Sequence, residues 1–202
     1  MFMQFNISKK NFALGLFFAL IVFVIGFLLA NRNADMDGMG MHSGMDHGVT
    51  TTSDFSAADL HFAQMMIPHH QQAIEMSDLA MKNSQNPQIL DLAKKIKAAQ
   101  GPEIDQMKSW LTKSGLDANA PHSMMMGGML SDSDMDSLKK AQGVTFDKLF
   151  LSGMISHHEG AIAMAQMIDE SENSEVKALA QSIISSQTAE IAAMKSLLNQ
   201  LK

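Results

Sequence analysis

The segment Met66-Ile67-Pro68-His69-His70-Gln71-Gln72-Ala73-Ile74-Glu75-Met76 returns later in the chain as Met154-Ile155-Ser156-His157-His158-Glu159-Gly160-Ala161-Ile162-Ala163-Met164. Both read M-I-x-H-H-x-x-A-I-x-M. Imidazole nitrogen and thioether sulfur are donors for a soft or borderline metal ion, so the pattern asks whether the fold brings them together. At about 100° per residue, a helix through the second copy sets Met164, Ala161, Met154 and His158 at about −20°, 40°, 60° and 100° from His157. Met76, Ala73, Met66 and His70 fall at the same places relative to His69, with Met65 at about −40°. This face is apolar apart from its imidazoles and is expected to point inward. A single interior histidine is ordinarily structural, but four in two matched pairs, each flanked by Met at the same spacings, point to metal ligation.

A second set of candidates follows from the same duplication. Leu92, Ala93, Ile96, Gln100, Glu103, Ile104, Met107 and Leu111 recur 87 positions later as Leu179, Ala180, Ile183, Gln187, Glu190, Ile191, Met194 and Leu198. Gln100, Glu103 and Met107 share one helix side, as do Gln187, Glu190 and Met194. Glu103 and Glu190 read either as ligands or as groups that orient the imidazoles. His61, two turns before His69, is a further candidate with no partner in the second copy, where Leu149 stands. Asp59 and Asp147, near helix starts, read as cap or dipole partners. Outside the helices, Met36, Met39, Met41, His42, Met45 and His47 form one Met-His cluster, and His122, Met124, Met125, Met126 and Met129 a second. Calcium and magnesium want oxygen and structural zinc rarely takes thioether, whereas Cu(I) accepts Met with His and Cu(II) accepts His with carboxylate. Copper is the expected ion, with silver as its soft analogue.

The elements that must carry these side chains read as helices. Ser56 with Asp59 forms a capping pair for a first helix reaching Asn83, with a kink expected at Pro68 inside it. Asn86-Pro87 opens a second that reaches Lys113, with a bend expected at Gly101-Pro102. A short helical piece is expected over 132–141. Thr145 is expected to cap a helix from Phe146 to Glu170, and Ser174 one from Glu175 to Leu201. Two repeated helix pairs, each with a face it cannot bury alone, close into an all-α four-helix bundle over residues 54–202, with 114–143 as the crossover.

Ahead of the bundle, residues 12–30 are an unbroken apolar run of 19, flanked by Lys9-Lys10 and Arg32. At about 1.5 Å per residue they match the roughly 30 Å hydrocarbon core, so one N-terminal transmembrane helix is expected, with residues 1–11 cytoplasmic. The sites for signal cleavage are poor, and a cleaved signal is the alternative. Residues 31–53 read as a flexible Met/His/Gly-rich tether. The net charge of −6 and the scarcity of Arg argue against nucleic acid. With no Cys there is neither a disulfide nor a thiolate site, while 20 methionines supply soft donors that tolerate oxidising surroundings.

The stretch from Phe146-Asp147-Lys148-Leu149-Phe150 through Met154 to Ala165, followed by Gln187-x-x-Glu190-Ile191-x-x-Met194, resembles the bacterial family called domain of unknown function 305, over residues 54–202. The resemblance implies a ferritin-like bundle and an extracytoplasmic copper-binding protein linked to copper tolerance. It carries over Met66, His69, His70, Met76, Met154, His157, His158 and Met164 as metal-site positions. Pro68 and Gln72 depart from the small residues at the matching places, Ser156 and Gly160. The expected function is copper sequestration or transfer outside the cytoplasm, with a copper-accepting protein and a second copy of the chain as candidate partners. The alternative is a ferritin-like redox enzyme with a His/carboxylate centre, against which stands the lack of Glu-x-x-His on either His-bearing helix.

Overall fold

The computed structural model describes residues 54–117 and 127–201, and those residues are all-helical. They form α1 (Ala57–Asn83), α2 (Pro87–Lys113), α3 (Asp132–Lys140), α4 (Gly143–Gln166) and α5 (Ser174–Gln200). The expected membrane span at 12–30 and the tether at 31–53 lie outside the described residues. Among the described residues, no helix is long and apolar enough to cross a membrane.

Local chemistry explains the helix limits. At the head of α1 the Ser56 N–H donates to Asp59 Oδ2 (2.8 Å), and the Asp59 N–H donates to Ser56 Oγ (3.1 Å), a reciprocal capping box. Asn86 Oδ1 accepts from the Gln88 N–H at 3.0 Å, and Pro87 occupies the first turn, where its missing N–H costs nothing. The cap of α5 is Asn173, not Ser174, because Asn173 Oδ1 collects the N–H groups of Glu175 and Val176. α4 departs furthest from expectation. It opens at Gly143 behind Gln142, which makes no side-chain cap, so no polar signal marked the start. It closes at Gln166, where the Met167 and Ile168 N–H groups turn back to Met164 and Ala165. Both α1 and α2 continue as helix through their internal prolines, Pro68 and Pro102.

α1 packs on α2 and α4 on α5, while α1 meets α4 across the two halves. The turn that ends each His-bearing helix is pinned to the start of the other. Ser84 Oγ donates to Asp147 Oδ1 at 2.5 Å, and Ser171 Oγ donates to Asp59 Oδ1 at 2.8 Å. Both carboxylates are buried. Asp59 serves as a cap partner as expected, whereas Asp147 lies beyond the first turn of α4, caps nothing, and is held by Ser84 instead. Asp147→Ala should therefore cost about 1–3 kcal/mol, by stranding a buried hydroxyl. Urea unfolding followed by fluorescence of Trp110, the single and fully buried tryptophan, measures it, and an unchanged midpoint would remove the pin from the account.

The core divides into two apolar clusters with a polar layer between them. One cluster contains Ile67, Ile104, Ala161 and Ile183, and the other Ala73, Ile96, Ile155 and Ile191. In each long helix the residues that separate one cluster from the other include buried or nearly buried polar ones. These are His69 and His70 in α1, Gln100 and Glu103 in α2, His157 and His158 in α4, and Gln187 and Glu190 in α5. α3 joins only the second cluster, through Met135 and Leu138.

Candidate metal centre

All four imidazoles of the polar layer are fully buried. His70 Nε2–H donates to Glu103 Oε2 (2.8 Å) and His158 Nε2–H to Glu190 Oε2 (2.7 Å). His157 Nε2–H donates to the backbone carbonyl of His69 (2.8 Å), and His69 Nε2–H to that of Gly127 (3.2 Å). A carbonyl or carboxylate oxygen can only accept, so each ring carries a proton on Nε2, and the neutral form of each has its lone pair on Nδ1. None of the four Nδ1 atoms has a hydrogen-bond partner. A buried acceptor left so costs about 1–3 kcal/mol, so four in one layer call for an occupant. An imidazole whose Nε2–H is held by a carboxylate or carbonyl, with Nδ1 bare, is the arrangement of a metal-ligating histidine.

Charge inside the layer is disfavoured. The His69 and His157 ring centroids are 3.8 Å apart. Burial first, and the neighbouring His70 second, hold the His69 pKa down at about 3. Burial, followed by the adjacent imidazoles, takes His157 well below its ordinary value as well. Both rings are therefore neutral near pH 7, the state that can ligate.

The thioethers are buried but do not sort by helix. Met66, Met107 and Met164 lie in one cluster, and Met76, Met154 and Met194 in the other. Met66 and Met76 thus flank the polar layer from opposite sides. That separation is the rise of α1 itself; the antiparallel crossing of α1 and α4 mixes the two halves, and it sets Met76 Cε 3.3 Å from where a Cβ on Gly153 would stand. Each sulfur trio draws on both halves of the duplication. Among the described residues, no three His, Asp or Glu side chains converge to hold an ion by themselves.

Of the further candidates, His61 is exposed, so it does not join the buried face on which α1 carries His69. Met65 and Met129 are half-buried against the first cluster. Met36, Met39, Met41, His42, Met45, His47, His122, Met124, Met125 and Met126 lie outside the described residues. Sequence reasoning missed Ser84 and Ser171, whose signal was a repeated Ser-x-Asn, and Gly127, which carried none beyond its place in a glycine pair.

The model of the family described as "Domain of unknown function (DUF305)" matches residues 59–198. Among solved structures, a DUF305 fragment from Deinococcus radiodurans is 31% identical with a TM-score of 0.68, over 72% of this chain and 98% of that one. A DUF305 protein from Streptomyces coelicolor, described as secreted, is 31% identical with a TM-score of 0.67, over 71% and 93%. CopM in its Cu(I)-bound form is 35% identical with a TM-score of 0.61, over 70% and 96%; Cu(II)-bound and Ag-bound forms of CopM match as well. No curated protein matches the chain.

Proposed function

The chain belongs to the DUF305 family, and from that premise we propose that its bundle binds Cu(I), with Ag(I) as analogue, at the buried histidine layer. The observation that carries the reading is the set of four buried Nδ1 atoms without partners, each on a ring whose other nitrogen is already engaged. His69, His70, His157 and His158 supply nitrogen. Met66, Met107 and Met164 on one side, and Met76, Met154 and Met194 on the other, supply the soft sulfur that two or three imidazoles need to complete a site for a monovalent ion. Glu103 and Glu190 act from the outer shell, because each carboxylate already accepts from an imidazole. That same engagement disfavours Cu(II) in this layer, and it disfavours the carboxylate-bridged redox centre of the alternative reading. The Cu(I)-, Cu(II)- and Ag-bound forms of CopM support copper with silver as its analogue, and the preference for Cu(I) rests on the donors alone.

The bundle works outside the cytoplasm as a non-catalytic store or carrier. Residues 12–30 anchor it in the membrane, and the Met/His segment at 31–53 collects ions or passes them to an accepting protein. The description of the Streptomyces relative as secreted supports that side of the membrane. Elemental analysis of the protein purified from copper-loaded cells tests the reading: copper should be retained by the intact chain, and its absence would end the proposal. Glu190→Leu removes the acceptor that fixes His158 and should weaken Ag(I) binding about ten- to a hundredfold, read by competition with a chelator. Unchanged affinity would deny Glu190 that role.

A further inference from the structure

His69 and His157 occupy matched places in the duplication, yet their Nε2–H groups find acceptors of different kinds. His157 donates to a carbonyl within α1, whereas His69 donates to Gly127 in the crossover. A helix carbonyl is fixed by its own helix. That of Gly127 is fixed only by whatever holds the crossover down.

Two positions do so, from opposite sides. Gln72 grips the backbone of Leu130 with both ends of its amide: Leu130 N–H donates to Oε1 at 2.8 Å, and Nε2–H donates to the Leu130 carbonyl at 3.0 Å. Across from it, Gly160 lets the crossover backbone lie against α4. A Cβ on Gly160 would stand 1.9 Å from the Gly127 oxygen. Gly128 is equally constrained, with φ at +84° and room for no side chain, since its Cβ would stand 2.3 Å from the Ser156 carbonyl oxygen. Gln72 and Gly160 are the same position in the two copies of the repeat. Their departure from one another thus has a use: both hold one strap, running from Gly127 to Leu130.

We infer that Gln72 is a positioning residue for the first imidazole pair, acting through Leu130 to keep the Gly127 carbonyl on His69 and so the His69 Nδ1 lone pair free for an ion. The part that concerns the ion rests on the proposed function. The hold on the His69 tautomer does not, because it exists without metal.

The test uses Gln72→Leu, of similar size, and Gly160→Ala, which reaches the strap from the other side. Long-range 15N spectra of the metal-free protein at neutral pH report the tautomer of each histidine. The His69 nitrogens should move from the Nε2–H pattern toward a mixture in both variants, while those of His157 stay in place as the internal control. Ag(I) release to a competing chelator should quicken by about ten- to a hundredfold in both. An unchanged His69 tautomer in both variants would overturn the inference. A changed tautomer with unchanged Ag(I) release would overturn its bearing on the ion. Absence of Ag(I) binding by the unsubstituted chain would instead count against the proposed function and leave the tautomer result to stand by itself.

Discussion

His69→Leu together with His157→Leu should abolish tight Cu(I) and Ag(I) binding by the bundle and leave the metal-free protein as stable as before or more so. The two rings lie 3.8 Å apart with their planes tilted by 40°, fully buried, each with an Nδ1 that has no hydrogen-bond partner. Leucine of similar volume removes that unmet acceptor and adds apolar contact, and substitutions of this kind are often neutral or stabilising. Affinity should fall by more than the roughly ten- to hundredfold that loss of an outer-shell partner costs, because ligands themselves are removed. The companion pair, His70→Leu with His158→Leu, should lose the ion as well but behave oppositely in stability. It strands the Glu190 carboxylate, 7% exposed, and Glu103, 12% exposed, without their imidazoles. Breaking a buried pair from one side costs about 3–5 kcal/mol, so this variant should melt well below the unsubstituted chain. Titration with Ag(I) and thermal unfolding without metal separate the two variants. Equal losses of stability would show that the layer is built for packing alone.

The second large effect is acid lability of the metal-free bundle. Above pH 6.5, the ordinary histidine value, His69 and His157 are neutral whether the chain is folded or not, and they add no pH dependence. Below it the unfolded chain binds protons that the folded layer refuses, until the pH approaches the folded value of about 3 for His69. Stability therefore rises with pH through this window and is lost as pH falls, by about 1.4 kcal/mol per pH unit for each ring. Over that window His69 alone draws about 5 kcal/mol, and His157 acts in the same direction, against a stability of about 5–15 kcal/mol. Urea midpoints measured from pH 7 to pH 4 should fall steeply, and His69→Leu with His157→Leu should flatten that slope. A bound ion competes with the same protons, so loading should hold the midpoint up until the ion is released. A flat profile in the metal-free chain would mean that the two rings accept protons in place.

Much of this molecule was legible before its coordinates. The Ser56–Asp59 box and Asn86-Pro87 are local chemistry, readable from a few residues, and they set the starts of α1 and α2. The duplication identified which faces turn inward, and the four histidines are all buried there. What stayed hidden depends on how helices cross. The rise of α1 alone sets Met66 and Met76 on opposite sides of its histidines, but nothing within α1 could say which sulfurs of the other half each would join. His61 looked eligible by its spacing along the helix, but it is exposed while Phe62 and Ala63 beside it are buried, so it lies off the inward face. The pins from Ser84 to Asp147 and from Ser171 to Asp59 join residues 63 and 112 apart, a separation at which local propensity says nothing. The strap escaped notice because its glycines matter through backbone contact with Ser156 and Gly160, which only a tertiary structure can show.

The most direct measurement is the anomalous scattering of silver in a crystal of the Ag(I)-loaded chain. The peak should lie in the mid-bundle polar layer, bonded to Nδ1 of at least one of the four histidines and to a methionine sulfur. Silver seated only on surface donors, with every Nδ1 of the layer left bare, would contradict the account.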